Sequence, residues 1–164
     1  MRGNRISHII SLLLVCISLQ ARTIDVRLFS DQAVQRFMIT PDSADFYLLA
    51  LTTKGEVLDT VYDVYADNPN RTFVISIKAK RLELKLGDAK IGEFEGLYFG
   101  SSDSLHQFRI TANRKNRAYF GGLRIIPKRK ELYVINRVEL EHYVAGVVES
   151  EAGHVDELEF YKAQ

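Results

Sequence analysis

Three glutamates close to the C-terminus are the side chains in this sequence that are best suited to do chemistry. They are Glu141, Glu149 and Glu151. A carboxyl group can act as a general acid or base when its surroundings bring its pKa close to the working pH. Glu151 also stands just before a segment predicted to be helical, where a carboxylate can simply complement the positive helix pole, at about 0.3–1 kcal/mol. The residue types alone leave both roles open.

Other residue types exclude several kinds of site. His106 stands alone beside a predicted strand, without a second ligand at metal-binding spacing, so we expect a solvated or hydrogen-bonded histidine and no metal. Cys16 is the only cysteine and lies in the N-terminal leader. The mature chain would therefore contain no disulfide and no cysteine nucleophile. We also expect no cofactor.

Two basic clusters lie between strand-like runs, Arg114–Arg117 and Lys128–Lys130. Nucleic-acid binding is one interpretation, but aromatic residues that could stack on bases are not interleaved with them. We therefore expect solvated hairpin turns and no nucleic-acid partner.

The N-terminus has the features of a secretory signal. Arg2 and Arg5 precede the apolar run Ile9–Leu19, and Ala21 offers a small residue for cleavage. As a helix this run would span roughly 16 Å, about half of a ~30 Å hydrocarbon core. We predict that residues 1–21 are removed and that the protein acts in the periplasm or cell wall, without a stable membrane span. Removing two of the 22 basic residues leaves 20 against 21 acidic ones, a formal charge of −1.

The segment that follows, residues 22–115, is predicted to be a β-rich module. Ile24–Leu28 and Leu82–Leu86 alternate apolar and polar residues with period two, which is typical of half-buried strands. Gly87-Asp88 separates two apolar runs and indicates a two-residue hairpin turn. We expect six to eight strands here, arranged as a sandwich or barrel.

The pattern changes in the last third of the chain. Tyr119–Pro127 is predicted to be one strand with a glycine pair, and Leu132–Ile135 to be its hairpin partner. Asn136, with Glu139 three residues later, has the spacing of a capping box. We therefore predict a helix from Asn136 to about Glu149 and a second helix from Val155. The expected fold class is α+β, predominantly β.

These last elements resemble the opening of the SpoIID/LytB domain, the family of the stage II sporulation protein D and of amidase enhancers. The resemblance covers residues 119–164, within a predicted module at 116–164. The matching segments occur in the family's order: Tyr119–Leu123, Leu132–Asn136, Leu140–Glu151 and Leu158–Gln164.

The resemblance implies an activity on peptidoglycan. Family members cleave glycan strands as lytic transglycosylases or assist a cell-wall amidase, and the family's catalytic glutamate corresponds to Glu151. A lytic transglycosylase can use a single carboxyl group, because the 6-hydroxyl of the sugar is the nucleophile and the second carboxylate of ordinary glycosidases is not required. The implied partners are peptidoglycan glycan strands and a cell-wall amidase.

The sequence also departs from the family pattern. Glu149 stands where proline is common, and Ala152-Gly153 replaces a frequent methionine-proline pair. The family domain continues beyond the segment that matches Lys162–Gln164, so we expect a truncated chain that is inactive alone. Two alternatives to an enzyme remain, namely a non-enzymatic amidase enhancer or envelope-binding module, and an exported β-protein whose C-terminal segment only resembles the family.

Overall fold

The computed structural model describes residues 22–42, 45–64, 71–103 and 105–152. These residues form twelve antiparallel strands in two six-stranded sheets, followed by one helix. The first six strands are β1 (Thr23–Leu28), β2 (Arg36–Pro41), β3 (Phe46–Leu51), β4 (Val57–Val64), β5 (Phe73–Lys78) and β6 (Arg81–Leu86). The remaining elements are β7 (Ala89–Phe94), β8 (Gly96–Gly100), β9 (Gln107–Ala112), β10 (Lys115–Phe120), β11 (Gly122–Lys128), β12 (Glu131–Glu139) and the helix α1 (Leu140–Ala152).

The two sheets have different strand orders. Sheet I runs β1-β12-β11-β8-β3-β4, and sheet II runs β10-β9-β2-β5-β6-β7. Sheet II is built largely from hairpins, whereas sheet I joins strands from the beginning, middle and end of the chain. The predominantly β class is therefore confirmed. The described residues contain one helix, not the two that we predicted; the second, expected from Val155, lies outside them, as do residues 1–21.

Alternating sequence produces alternating burial in these strands. In β6, Leu82 and Leu84 are fully buried, while Glu83 and Lys85, which alternate with them, are not. The turn at Gly87-Asp88 joins β6 to β7, with Leu86 opposite Ala89, so the predicted two-residue hairpin is confirmed. Nine strands lie between residues 23 and 112 instead of the expected six to eight.

A ring of four phenylalanines fills the space between the sheets. Phe46 and Phe99 belong to sheet I, and Phe73 and Phe108 belong to sheet II. Their rings meet edge to face in a closed circuit, 46–73–99–108–46, with centroid separations of 5.7, 5.5, 6.0 and 6.5 Å. Each contact joins one sheet to the other, so the fold is a sandwich with a single core. Such pairs contribute about 0.5–1.5 kcal/mol each beyond their buried area.

The segment Tyr119–Pro127 is not one strand, which corrects our prediction. The chain leaves β10 in sheet II at Phe120 and enters β11 in sheet I at Gly122. Gly121 makes the crossing with a φ of +78°, and a Cβ at this position would collide with the carbonyl oxygen of Arg137. Glycine is required here because the backbone is left-handed and another strand passes directly over it.

Asn136 is not a helix N-cap, which is a second correction. It lies inside β12, opposite Val26 of β1 on one side and Leu123 of β11 on the other. Its side chain is buried, and its Nδ2 donates to the carbonyl oxygens of Phe120 at 2.8 Å and Gly122 at 3.1 Å. The asparagine therefore fastens the crossing at Gly121 to sheet I, and the strand continues to Glu139 before α1 begins.

The two predicted sequence modules share sheet I. Strand β1 pairs with β12, and β8 pairs with β11, so strands from both sides of residue 115 lie next to each other. The boundary between residues 22–115 and 116–164 stays a prediction, because a shared sheet does not decide where one sequence module ends.

Replacing Asn136 should destabilise the fold. We expect Asn136→Ala to lower the free energy of unfolding by about 1–3 kcal/mol, since two carbonyl oxygens lose a buried donor. Asn136→Asp should cost more, because its carboxylate would face both carbonyls. Urea denaturation is the measurement, and Asn116→Ala, at an exposed position in β10, is the matched control with an expected change within about 0.5 kcal/mol. Equal losses in the two alanine variants would contradict this role.

Candidate functional site

A groove lies between α1 and the edge strands of the two sheets. Strand β1 is an edge of sheet I, and β10 is an edge of sheet II. The groove has a volume of about 630 Å³, within the range of roughly 300–1,000 Å³ that is usual for ligand sites. Its lining consists of Val26, Leu28, Arg117, Ala118, Tyr119, Phe120, Asn136, Val138, His142, Tyr143, Gly146, Val147 and Ser150.

The first turn of α1 is attached to β10 through His142. The imidazole ring stacks on Phe120, with centroids 4.9 Å apart and an interplanar angle of 24°. Nδ1 of His142 lies 3.8 Å from a carboxylate oxygen of Glu139, the last residue of β12. The backbone N–H of Leu140 donates to the carbonyl oxygen of Arg22 at 2.7 Å, which holds the start of the helix against the chain before β1.

The groove combines aromatic faces with polar groups. Tyr119, Phe120 and Tyr143 supply aromatic surface, while Arg117 and Ser150 supply hydrogen-bonding groups. Tyr143 is 39% exposed, so part of its ring is accessible to a ligand. Ser150 lies one turn beyond Gly146, and its hydroxyl donates to the carbonyl oxygen of Val147 at 2.8 Å. The groove therefore offers flat apolar surface next to hydrogen-bonding groups.

The three candidate glutamates all lie on α1. Residue 151 is in the last turn of the helix and not in a loop between two helices, which corrects our expectation. Its backbone follows Ser150 and stands one turn beyond Val147, both of which line the groove. The C-terminal pole of a helix is negative, so α1 does not stabilise an ionised carboxylate at this end. Glu141 and Glu149 are exposed on the helix and are absent from the groove lining.

The apolar residues of α1 are mostly uncovered by the described part of the chain. Tyr143, Val144, Val147 and Val148 are 39–50% exposed. Within the described residues these apolar side chains, spaced at one helical turn, therefore form an open face instead of a buried one. Tyr143 and Val147 face the groove, and Val144 and Val148 extend this face beyond it.

The contact between two residues of the groove, Phe120 and His142, was not identified from the sequence. Phe120 and His142 are 22 positions apart, and no local pattern indicates that they stack. Glu139 and His142 are three residues apart, a spacing that predicts a contact only when both residues are on one helix. Glu139 is in a strand, so this spacing did not indicate the contact. Asn136 was identified from the sequence, but as a helix N-cap, a role that it does not have.

His106 is buried and immediately precedes β9, so it lies at the end of this strand that is farther from the β9–β10 turn. Its Nδ1 lies 2.9 Å from Oδ1 of Asp42, and its ring meets Phe108 edge to face at 4.4 Å. Burial lowers the pKa of His106, and the carboxylates of Asp42, Asp103 and Asp45 act in the opposite direction. Among the described residues there is no group of three potential metal ligands.

The comparisons with known proteins give no relative for this chain. No protein-family model, no curated protein and no solved structure matches it. In the part of the chain that the structure describes, no helix has the length and apolar character needed to cross a membrane.

The pH dependence of stability should report on His106. Because its pKa is lower in the folded protein, folding favours the neutral ring; its contribution is complete above the unfolded pKa of about 6.5 and is lost as the pH falls through the lower folded value. We expect the free energy of unfolding to decrease between pH 7 and 5 and this slope to be smaller in His106→Gln. Asn116→Ala, which changes an exposed residue without a titratable side chain, is the control and should retain the wild-type slope. An unchanged slope in His106→Gln would contradict the assignment.

Proposed function

We propose that this protein is exported and acts on the glycan strands of peptidoglycan, in the manner of SpoIID/LytB proteins. The observation that supports the proposal is that segments of the resemblance converge on one groove. Tyr119 and Phe120 come from the first segment, Asn136 from the second, and residues 142–150 from the third. The outermost of these residues, Tyr119 and Ser150, are 31 positions apart, and the resemblance itself says nothing about their contact.

The proposed chemistry uses one carboxyl group at position 151. Protonated Glu151 donates its proton to the glycosidic oxygen, so that the bond from this oxygen to C1 breaks. The 6-hydroxyl of the same sugar attacks C1 and gives its proton to a base, which forms a 1,6-anhydro ring and requires no water. A carboxyl group that serves first as acid and then as base balances the protons of this reaction.

The groove is proposed to hold the sugar rings. An aromatic side chain can lie against the apolar face of a pyranose, and Tyr143 is the exposed aromatic residue of α1 in the groove. The adjacent Asn136 is occupied by its two carbonyl partners, so it shapes the floor and does not contact the ligand. Arg117 and Ser150 are the polar side chains available to sugar hydroxyls.

A specific observation favours the second candidate function, a non-enzymatic amidase enhancer. Val144 and Val148 are 50% and 39% exposed and lie beyond the groove on the open face of α1. Exposed apolar residues at the spacing of one helical turn are suited to a protein partner. Under this alternative the groove binds glycan, and the helix engages a cell-wall amidase.

Glycan binding should depend on Tyr143. We expect Tyr143→Ala to weaken binding to peptide-stripped glycan strands about 10-fold, by the loss of a stacked ring worth roughly 1–1.5 kcal/mol. Calorimetry or co-sedimentation measures the affinity. Tyr133→Ala is the matched control, because Tyr133 lies on the outer face of sheet I under Arg27 and Lys128; it should leave binding unchanged. Equal affinity of wild type and Tyr143→Ala would place binding outside the groove.

Cleavage should depend on Glu151. In the protein expressed from its complete reading frame, Glu151→Gln keeps the size of the side chain but removes the titrating proton. We expect release of anhydro-muropeptides from peptide-stripped peptidoglycan to fall by about 10²–10⁴-fold, while binding is retained. Glu149→Gln and Glu141→Gln are the controls and should cost far less. Full activity in Glu151→Gln would contradict the enzyme proposal, and a wild type that stimulates an amidase without cleaving glycan would establish the enhancer instead.

A further inference from the structure

Three hairpin turns meet at one end of the sandwich. They are the β5–β6, β9–β10 and β11–β12 turns, and each is attached to the loop formed by residues 29–35, which we call the connecting loop. The hydrogen bonds run from the N–H of Ile77 to the carbonyl oxygen of Gln35 at 3.1 Å, from Nδ2 of Asn113 to Oε1 of Gln32 at 3.0 Å, and from the N–H of Leu132 to the carbonyl oxygen of Val34 at 2.7 Å. The two sheets therefore present these turns side by side.

These turns carry six exposed cations, which we call the basic end. The six are Lys80, Arg114, Lys115, Lys128, Arg129 and Lys130. Within the described residues, none of them lies within 4 Å of a carboxylate. Two of the acids at this end are engaged by other cations, since Glu93 contacts Lys78 at 3.0 Å and Lys90 at 2.6 Å and Glu95 contacts Arg81 at 3.9 Å. Asp31 of the connecting loop and Glu131 of β12 also lie at this end. The sequence showed separate basic hairpin turns; the fold places them on one surface.

Further acidic side chains lie at the other end of the molecule. Asp42 and Asp103 lie near His106, at the far ends of β2 and β9 from the basic end, and Glu139 and Glu141 lie where α1 begins. The mature chain has a formal charge of −1, so its net charge does not attract an anionic partner. Attraction to an anion must come from the basic end, and it must orient the molecule.

Exposed aliphatic side chains accompany the cations. Val57 and Leu58, each 61% exposed, follow the β3–β4 turn. This turn lies at the same end, because the N–H of Thr53 donates to Glu95 at 3.2 Å and Glu95 also contacts Arg81 at 3.9 Å. A soluble polyanion would offer these aliphatic groups nothing, whereas the boundary between lipid headgroups and acyl chains offers them an apolar environment.

We propose that the basic end docks on the surface of a bilayer containing anionic phospholipids. The six cations contact the headgroups, and Val57 and Leu58 reach the headgroup–acyl boundary. The end of the molecule where α1 begins then points away from the membrane. The proposal does not depend on Glu151 or on the groove, and it would stand if no glycan were bound.

The experiment measures co-sedimentation of the mature protein with phosphatidylcholine vesicles that contain or lack phosphatidylglycerol. We expect binding only to the anionic vesicles, weakened by salt. The triple variant Lys128→Gln/Arg129→Asn/Lys130→Gln should bind roughly 100-fold more weakly, since each cation near an anionic surface contributes about a fivefold factor. Asparagine is chosen at position 129 because the φ of Arg129 is +60°, a conformation that asparagine tolerates. Lys80→Gln/Arg114→Asn/Lys115→Gln should have a similar effect.

The matched control removes the same amount of charge elsewhere. Arg22→Gln/Lys85→Gln/Arg109→Gln also lowers the net charge by three and should retain anionic-vesicle binding; equal losses in this variant and in the basic-end variants would overturn the proposal. Val57→Ser/Leu58→Ser should weaken binding to vesicles but not to soluble polyphosphate. Binding to polyphosphate without binding to anionic vesicles would assign the basic end to a soluble polyanion and overturn the membrane proposal. Circular dichroism verifies that each variant is folded.

Discussion

The circuit of four phenylalanines is the interaction on which the rest of this structure depends. Each of its four contacts crosses from one sheet to the other, and each ring is at least 94% buried. The circuit determines how the two sheets face each other. The relative placement of the sheets in turn determines the positions of the edge strands β1 and β10. The groove is the space beside those two edges, so its width depends on four phenylalanine rings that are not among its lining residues.

Much of the fold could be predicted from the sequence because it follows from local patterns. Alternation of apolar and polar residues identifies β6, and glycine followed by aspartate identifies the turn after it. The order of strands in sheet I could not be predicted in this way, since β1 pairs with β12 across more than 100 residues. The crossing at Gly121 was also missed, because a glycine pair inside an apolar run is compatible with one bulged strand. The collision with the Arg137 carbonyl that makes glycine necessary is visible only in three dimensions.

The candidate site was predictable only in part, and Asn136 shows why. Its spacing to Glu139 satisfies a local capping rule, but β1 and β11 pair with it on both sides and extend the strand. Once buried, its amide must find acceptors, and the carbonyl oxygens of Phe120 and Gly122 provide them. Tertiary pairing therefore overrode the local preference. The stack of His142 on Phe120 was not predicted for a related reason, because a contact between residues far apart in the sequence produces no periodic pattern.

The strand wall of the groove is held in place more firmly than the helix wall, and this difference affects what the site can do. The strand wall is fixed by two hydrogen-bonded sheet edges and by Asn136. The helix wall is attached at its first turn, by the stack of His142 on Phe120 and by the hydrogen bond from Leu140 to Arg22. A helix of 13 residues is near the lower limit of length for stability without packing, and the valines of α1 are exposed.

Position 151 is at the end of this helix that is farthest from its attachment. Under the proposed function, the sugar ring lies against Tyr143 in the first turn of α1, whereas acid catalysis at position 151 requires a carboxyl group held to about 0.5 Å. Binding and cleavage are thus separable in this architecture, because contacts to the open face of α1 can change the position of residue 151 without changing the strand wall. Under the proposed function, the groove would serve an enzyme when that face is covered and a glycan-binding module when it is not.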